Sequence, residues 1–182
     1  GYEIVGWNTQ PDKSGKWYES GKTYVFVESQ EEADKLEAGQ LYHIGDLILY
    51  AIWEANGYTV KFDPGVDDDV PYTGEMEDQA FTYNVTDNLK PNAFKREGYY
   101  FEKWIYTDDN GEVKEKGDRA EVVNLTSVRG GEVTLYAQWL ECTDHPTFRY
   151  TVTKESDQKA ILSKICTRCG HEETATLMAS NA

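Results

Sequence analysis

The chain has 182 residues, of which 39% are apolar and 13% aromatic, enough for one large globular domain or two to three small ones. Thirty-three acids against eighteen bases leave a formal charge of -15, which repels nucleic acid and anionic lipid unless a local basic stripe offsets it, and the sequence shows no such stripe. No apolar run approaches the ~20 residues that cross a bilayer, no signal peptide or sorting tail is visible, and the first residue is Gly, so a piece of a longer chain is expected.

Taken in chain order, Tyr2, Ile4 and Trp7 begin a strand that breaks at the turn cluster Gln10 to Gly15. Tyr24 to Val27 is a short β run. Ser29 with Glu31 and Glu32 predicts a capped helix through about Leu36, stopped by Gly39. Leu47 to Trp53 predicts a buried closing strand. Tyr58, Val60 and Phe62 then alternate with Thr59 and Lys61, as a strand with one face on a core requires, and Pro64-Gly65 ends it. Phe81, Tyr83 and Val85 alternate again, and Tyr99 to Ile105 forms a further strand. Asn110-Gly111 predicts a type I′ hairpin turn. Val122 to Leu125 reads as a short turn or helix, and Val133 to Trp139 as the closing strand.

Two landmarks recur. Leu49-Tyr50-Ala51-Ile52-Trp53 returns as Leu135-Tyr136-Ala137-Gln138-Trp139, and Gly1-Tyr2 before Trp7 returns as Gly98-Tyr99 before Trp104. An internal repeat points to a stacked or strung module rather than a single catalytic core. The first copy lacks the counterpart of Tyr58 to Phe62 and carries an insertion at Tyr24 to Leu36. The expected segments are therefore 1–56, a partial repeat with an open sheet edge; 57–140, a complete repeat; and 141–182, a tail. That open edge could pair with a second copy of the chain or be covered by the insertion.

The runs Tyr58-Thr59-Val60-Lys61-Phe62-Asp63, Asn92 to Tyr99 leading to Trp104, and Thr134 to Trp139 resemble the Listeria-Bacteroides repeat, also called the internalin B-repeat. Gly6-Trp7-Asn8-Thr9 with Gly15, Tyr18 and Leu49 to Trp53 resembles the second half of another copy. Lys103 stands where the pattern usually has Gly before the Trp. The resemblance implies an α+β or mainly β fold of tandem small β-grasp-like modules in bacterial surface or secreted proteins. Spacing, display or adhesion through protein contacts is the implied role, with no catalytic residue to carry over.

All three cysteines fall in the tail. Cys142-Thr143-Asp144-His145 and Cys166-Thr167-Arg168-Cys169-Gly170 form two ligand pairs, with Phe148 to Thr153 and Lys159 to Ile165 as a hairpin between them. Zn²⁺ is held by a closed tetrahedron of thiolates and imidazole, and Cys142, His145, Cys166 and Cys169 supply that set for a structural zinc-ribbon-like hairpin. His171 is an alternative fourth ligand. A disulfide from Cys142 to one member of the second pair is the duller alternative and strands a third thiol.

Asp67-Asp68-Asp69 with Asp63 lacks the spacing of an EF-hand and reads as a solvated loop. The landmark tryptophans Trp7, Trp53, Trp104 and Trp139 are expected in cores. Trp17 belongs to no landmark and, with Tyr18, is the candidate exposed contact for an alternative reading as a carbohydrate-binding module. His43 is expected to serve a hydrogen-bonded structural role. No reacting constellation appears, so the segment reads as a non-enzyme, and the resemblance implies an extracellular, cell-surface location.

Overall fold

The computed structural model describes residues 1–144 and 147–178. His145, expected as a metal ligand, lies outside the described residues. The described chain is mainly β, with fifteen strands and one four-residue helix. It divides into two compact units, residues 1–56 with 127–129 and residues 57–126 with 130–182.

In the first unit, β1 (Tyr2–Asn8) is the centre of a sheet ordered β2 (Trp17–Glu19), β1, β5 (Tyr50–Ala55). Between β2 and β5 lie β3 (Val25–Val27), α1 (Gln30–Ala33) and β4 (Tyr42–Ile44), with β3 and β4 paired in parallel. Ser29 caps α1 by accepting from Glu32 N, while the Glu32 carboxylate accepts from Glu28 N at 2.9 Å. The helix ends at Ala33, earlier than its expected end at Leu36. The β1–β2 turn is built by Asn8, a motif residue to which the sequence alone assigned no structural role. Asn8 is buried and its amide bonds four turn backbone groups: Nδ2 donates to Lys13 O and Gly15 O, and Oδ1 accepts from Gln10 N and Gly15 N.

The second unit contains β6 (Gly57–Asp63), β7 (Gln79–Thr82), β8 (Asp87–Asn88), β9 (Tyr99–Thr107), β10 (Val113–Lys116), β11 (Glu121–Val122) and β12 (Gly131–Glu141). Five of these form a sheet ordered β10-β9-β12-β6-β7, in which β6 and β12, first and last in sequence, run parallel at its centre. A parallel pair cannot be joined by a tight turn, so the long connection from Pro64 to Gly130 follows. Its core takes Tyr58 and Val60 from β6, Phe81 from β7, Trp104 and Tyr106 from β9, and Val133, Leu135 and Ala137 from β12, closed by Leu89, Phe94, Val122 and Leu125 of the connection. Period-2 alternation on β6 and β12 puts these residues on one face. Gly65, at φ +65°, ends β6 against the neighbouring backbone, where an added Cβ would stand 2.0 Å from Ala137 O.

Three local expectations are corrected. Strand β7 stops at Thr82 because Asn84 turns the chain at φ +60°, which leaves Val85 exposed. Residues 121–122 pair with β8 instead of forming a turn or helix. Asn110-Gly111 is not a type I′ turn, since only Gly111 has positive φ. The Asp108 carboxylate instead accepts from Asn110 N and Glu112 N, both at 2.9 Å, and fixes a longer loop.

The β2-β1-β5 and β10-β9-β12 arrangements share their register. Trp7 faces Ala51 as Trp104 faces Ala137, and Ile4 faces Trp53 as Phe101 faces Trp139. Both carry a register irregularity at the same place, one residue of the Trp-bearing strand being skipped between those two pairs. Burial differs. Trp104 is fully enclosed, Trp7 and Trp139 are half-buried, and Trp53 is 56% exposed; the closing strand expected to be buried over Leu47 to Trp53 forms only from Tyr50 and encloses Ile52 but not Trp53. Among the described residues, no strand pairs with the β5 edge opposite β1, whereas β6 lies on the equivalent edge of β12.

The tail adds β13 (Phe148–Ser156), β14 (Lys159–Cys166) and β15 (Glu172–Met178) as an antiparallel sheet ordered β13-β14-β15. The expected hairpin is β13–β14, and β15 extends it.

Candidate metal centre

Three chain segments deliver the cysteines to one place. Strand β12 ends at Glu141 and hands over Cys142, whose N–H donates to Gly98 O at 2.8 Å. Strand β14 ends on Cys166, and the turn through Thr167 and Arg168 brings Cys169 back beside it. Gly170 N donates to Cys166 O at 3.0 Å and Cys166 N to His171 O at 2.8 Å, closing the turn. Gly170 has φ +77°, a conformation open to glycine at little cost.

All three thiols are buried, and their sulfurs lie within 4.8 Å of one another. Cys142 Sγ and Cys166 Sγ are 3.9 Å apart, well beyond a disulfide bond of about 2.05 Å, and all three cysteines are free thiols. Burial pushes the Cys169 thiol up to about 11, against the opposing influence of the His171 N–H that donates to its sulfur. A cation at the sulfurs would reverse this preference by stabilising thiolates, with proton release on binding. Half-buried Tyr100 and Phe148 pack on the cluster. These two aromatics were not singled out from the sequence. Tyr100 is adjacent to the landmark Tyr99, and neighbouring strand residues point to opposite faces, which is the signal that a second packed surface exists.

The three cysteines therefore form a group able to hold a metal ion. His171 is not part of that group: its Nδ1 lies 3.9 Å from Glu97 Oε1.

The other proposed contacts separate. Trp17 is 40% exposed, with its indole over Gly6, where an added Cβ would meet the ring at 2.3 Å. Tyr18, expected to be exposed beside it, is instead buried, since alternate residues of β2 face opposite sides. Its hydroxyl bonds His43 Nδ1. His43 Nε2 meets Asp46 O at 3.1 Å, and because a carbonyl only accepts, Nε2 carries the proton and neutral Nδ1 accepts from Tyr18. His43 is thus a structural bridge. Asp67, Asp68 and Asp69 are exposed.

Among the described residues, no helix is long and apolar enough to cross a membrane. No family model matches the chain, and no solved structure matches it. Over 165 residues, 91% of its length, the chain is 30% identical to a protein of Evansella cellulosilytica described as "Putative Gly-rich membrane protein". The chain spans 15% of the length of that relative.

Proposed function

We propose that this segment is a non-catalytic spacer and display region of a bacterial cell-surface protein, made of a partial and a complete β-grasp-like repeat of the Listeria-Bacteroides type and closed by a zinc-ribbon-like tail. The observation that carries the reading is the register shared by β2-β1-β5 and β10-β9-β12, including the skipped residue. Sequence landmarks that recur with the same pairing partners support a duplicated folding unit. The parallel central pair of β6 and β12, flanked by hairpins, supports the β-grasp-like assignment. Similarity to a short stretch of a far longer protein described as a membrane protein supports a place in the cell envelope. Adhesion through protein contacts is assigned to exposed surfaces, with the free β5 edge as the place where a second copy would add a strand.

Zinc is the metal that suits the tail. A Zn–S distance of about 2.3 Å in a tetrahedron sets sulfurs roughly 3.8 Å apart, and the Cys142–Cys166 separation is 3.9 Å. Cys142, Cys166 and Cys169 would hold it with His145 as fourth ligand. Four protein ligands leave no position for a reacting water, so the ion would tie the ends of β12 and β14 together and stabilise the fold.

The test is elemental analysis with a free-thiol count on the intact chain, followed by chelation. One zinc per chain, with loss of the β13–β15 sheet on chelation, is the expected result. A metal-free chain with one free thiol would replace the ribbon with a disulfide clip. The spacer role is tested separately, by protease shaving of intact cells that carry the full-length protein. Peptides from residues 57–139 should be released, and their retention inside the cells would overturn the surface assignment.

A further inference from the structure

The chain has five arginines, and the structure treats them in two ways. Arg119 pairs with Asp118 and Arg129 with Glu3. Among the described residues no ion pair holds Arg96, Arg149 or Arg168, although acids outnumber bases 33 to 18. These three line one groove of about 860 Å³ in the second unit, together with Lys95. Glu97 is the one carboxylate among the described lining residues, and it lies 3.9 Å from His171. Four cations from three separate stretches of sequence thus meet on a chain whose net charge is -15, which is why no basic stripe is visible along the sequence.

Two of the three guanidiniums, those of Arg96 and Arg168, are held by aromatic rings rather than by carboxylates. The Arg96 guanidinium carbon lies 3.7 Å from the Tyr99 ring centroid and that of Arg168 lies 3.5 Å from Tyr100. Stacking of this kind fixes the plane of a guanidinium and leaves its N–H fork free at the edge, where a carboxylate binds in bidentate fashion. Arg168 sits in the turn between Cys166 and Cys169, and Arg149 on the edge strand β13.

We infer that this groove binds an acidic polysaccharide, one whose sugars carry carboxylates of the uronate kind. A polyphosphate or a nucleic-acid duplex, at about one charge per 1.7 Å in the duplex, carries charge more densely than a chain of uronates, and beyond the groove it would meet the acid-rich surface and be repelled more strongly. A uronate chain carries one charge per ring, and the uncharged hydroxyls and apolar ring faces between charges suit a wall of tyrosines, including the exposed Tyr72 on the lining. A rigid sugar ring also loses less freedom on binding than an acidic peptide, which must order its backbone.

The experiment titrates the intact chain with tetragalacturonate at low and high salt, beside a neutral galactose oligomer and hexaglutamate. Tetragalacturonate should bind, weaken as salt rises, and exceed both controls. Arg149→Gln and Arg168→Gln should each lower its affinity roughly tenfold, as loss of a charge-assisted contact implies. Arg149→Gln lies away from the cysteine turn and keeps the test valid if Arg168→Gln disturbs the turn, with the thermal midpoint as the folding control. No binding, equal binding of the neutral oligomer, or full affinity in the folded variants would overturn the site. Hexaglutamate binding as tightly as the uronate would overturn the assignment to a polysaccharide.

Discussion

The β2-β1-β5 sheet and the β10-β9-β12 part of the larger sheet are paired alike and buried differently. Trp104 and Leu135 are fully enclosed, while their counterparts are a half-buried Trp7 and a Leu49 that is 36% exposed. The difference lies in what flanks them. On the second sheet β6 adds Tyr58, Val60 and Phe62, and the connection adds Phe94, Val122 and Leu125; among the described residues the first sheet has no parallel strand on β5, and its cover is smaller, with Tyr24 and His43 packed on the buried Tyr18. Register is thus a local property of two strands, set by the Trp and Ala landmarks and a skipped residue. Burial is a property of the whole module.

That contrast is broken most directly at the paired tryptophans. Trp104→Ala should destabilise the second unit by about 3 to 5 kcal/mol, because it empties a fully enclosed site. Its indole packs against Phe62, Phe94 and Phe101, and its Nε1 has no hydrogen-bond partner among the described residues, so packing is the main contribution of the ring. Trp7→Ala should cost the first unit about 1 to 2 kcal/mol, in proportion to the smaller apolar area removed. Trp139→Ala falls between them: the ring is half-buried but its Nε1 donates to Pro64 O at 2.7 Å. Unit-resolved hydrogen exchange in denaturant measures all three. Equal losses at Trp7 and Trp104 would contradict the difference in cover.

Gly65→Ala tests the same comparison from the backbone. Its Cβ would collide with Ala137 O, and the positive φ excludes a relaxed alternative, so a loss of about 3 kcal/mol is expected in the second unit. The first unit, with no parallel strand against β5, should be unchanged in the same exchange experiment.

How much was legible follows from these residues. Trp104, Leu135 and the alternation of Tyr58, Val60 and Phe62 announce a core because period and landmark coincide. Leu49 and Trp53 carry the same landmark and mislead, since a motif records what a strand can bury and not whether a partner is present. The meeting of the three cysteines follows from their spacing, because Cys142 comes just after the end of β12 and Cys166 and Cys169 come at the end of β14. The arginine groove is invisible in sequence: Arg96, Arg149 and Arg168 are far apart along the chain and meet only through tertiary packing.

The smallest effect sharpens the comparison at the two hairpin turns. Asp12, in the β1–β2 turn, is held below the usual 3.8 chiefly by the Ser14 hydroxyl and then by the Ser14 N–H. Asp108, in the β9–β10 turn, is held below the same value chiefly by the Glu112 N–H, with Asn110 N–H and Lys114 adding to it and desolvation opposing. A depressed folded value means that each carboxylate contributes stability above its unfolded pKa and loses it as pH falls through the folded one. Both turns should therefore loosen only below about pH 4. The causes differ, so the turns can be separated. Ser14→Ala removes the leading contact of Asp12 and should move its carboxyl midpoint back up in an NMR titration, while Asp108, whose main donor is backbone, should not move. A shift of both midpoints together would mean that the turns share an electrostatic environment rather than each being set by its own local hydrogen bonds.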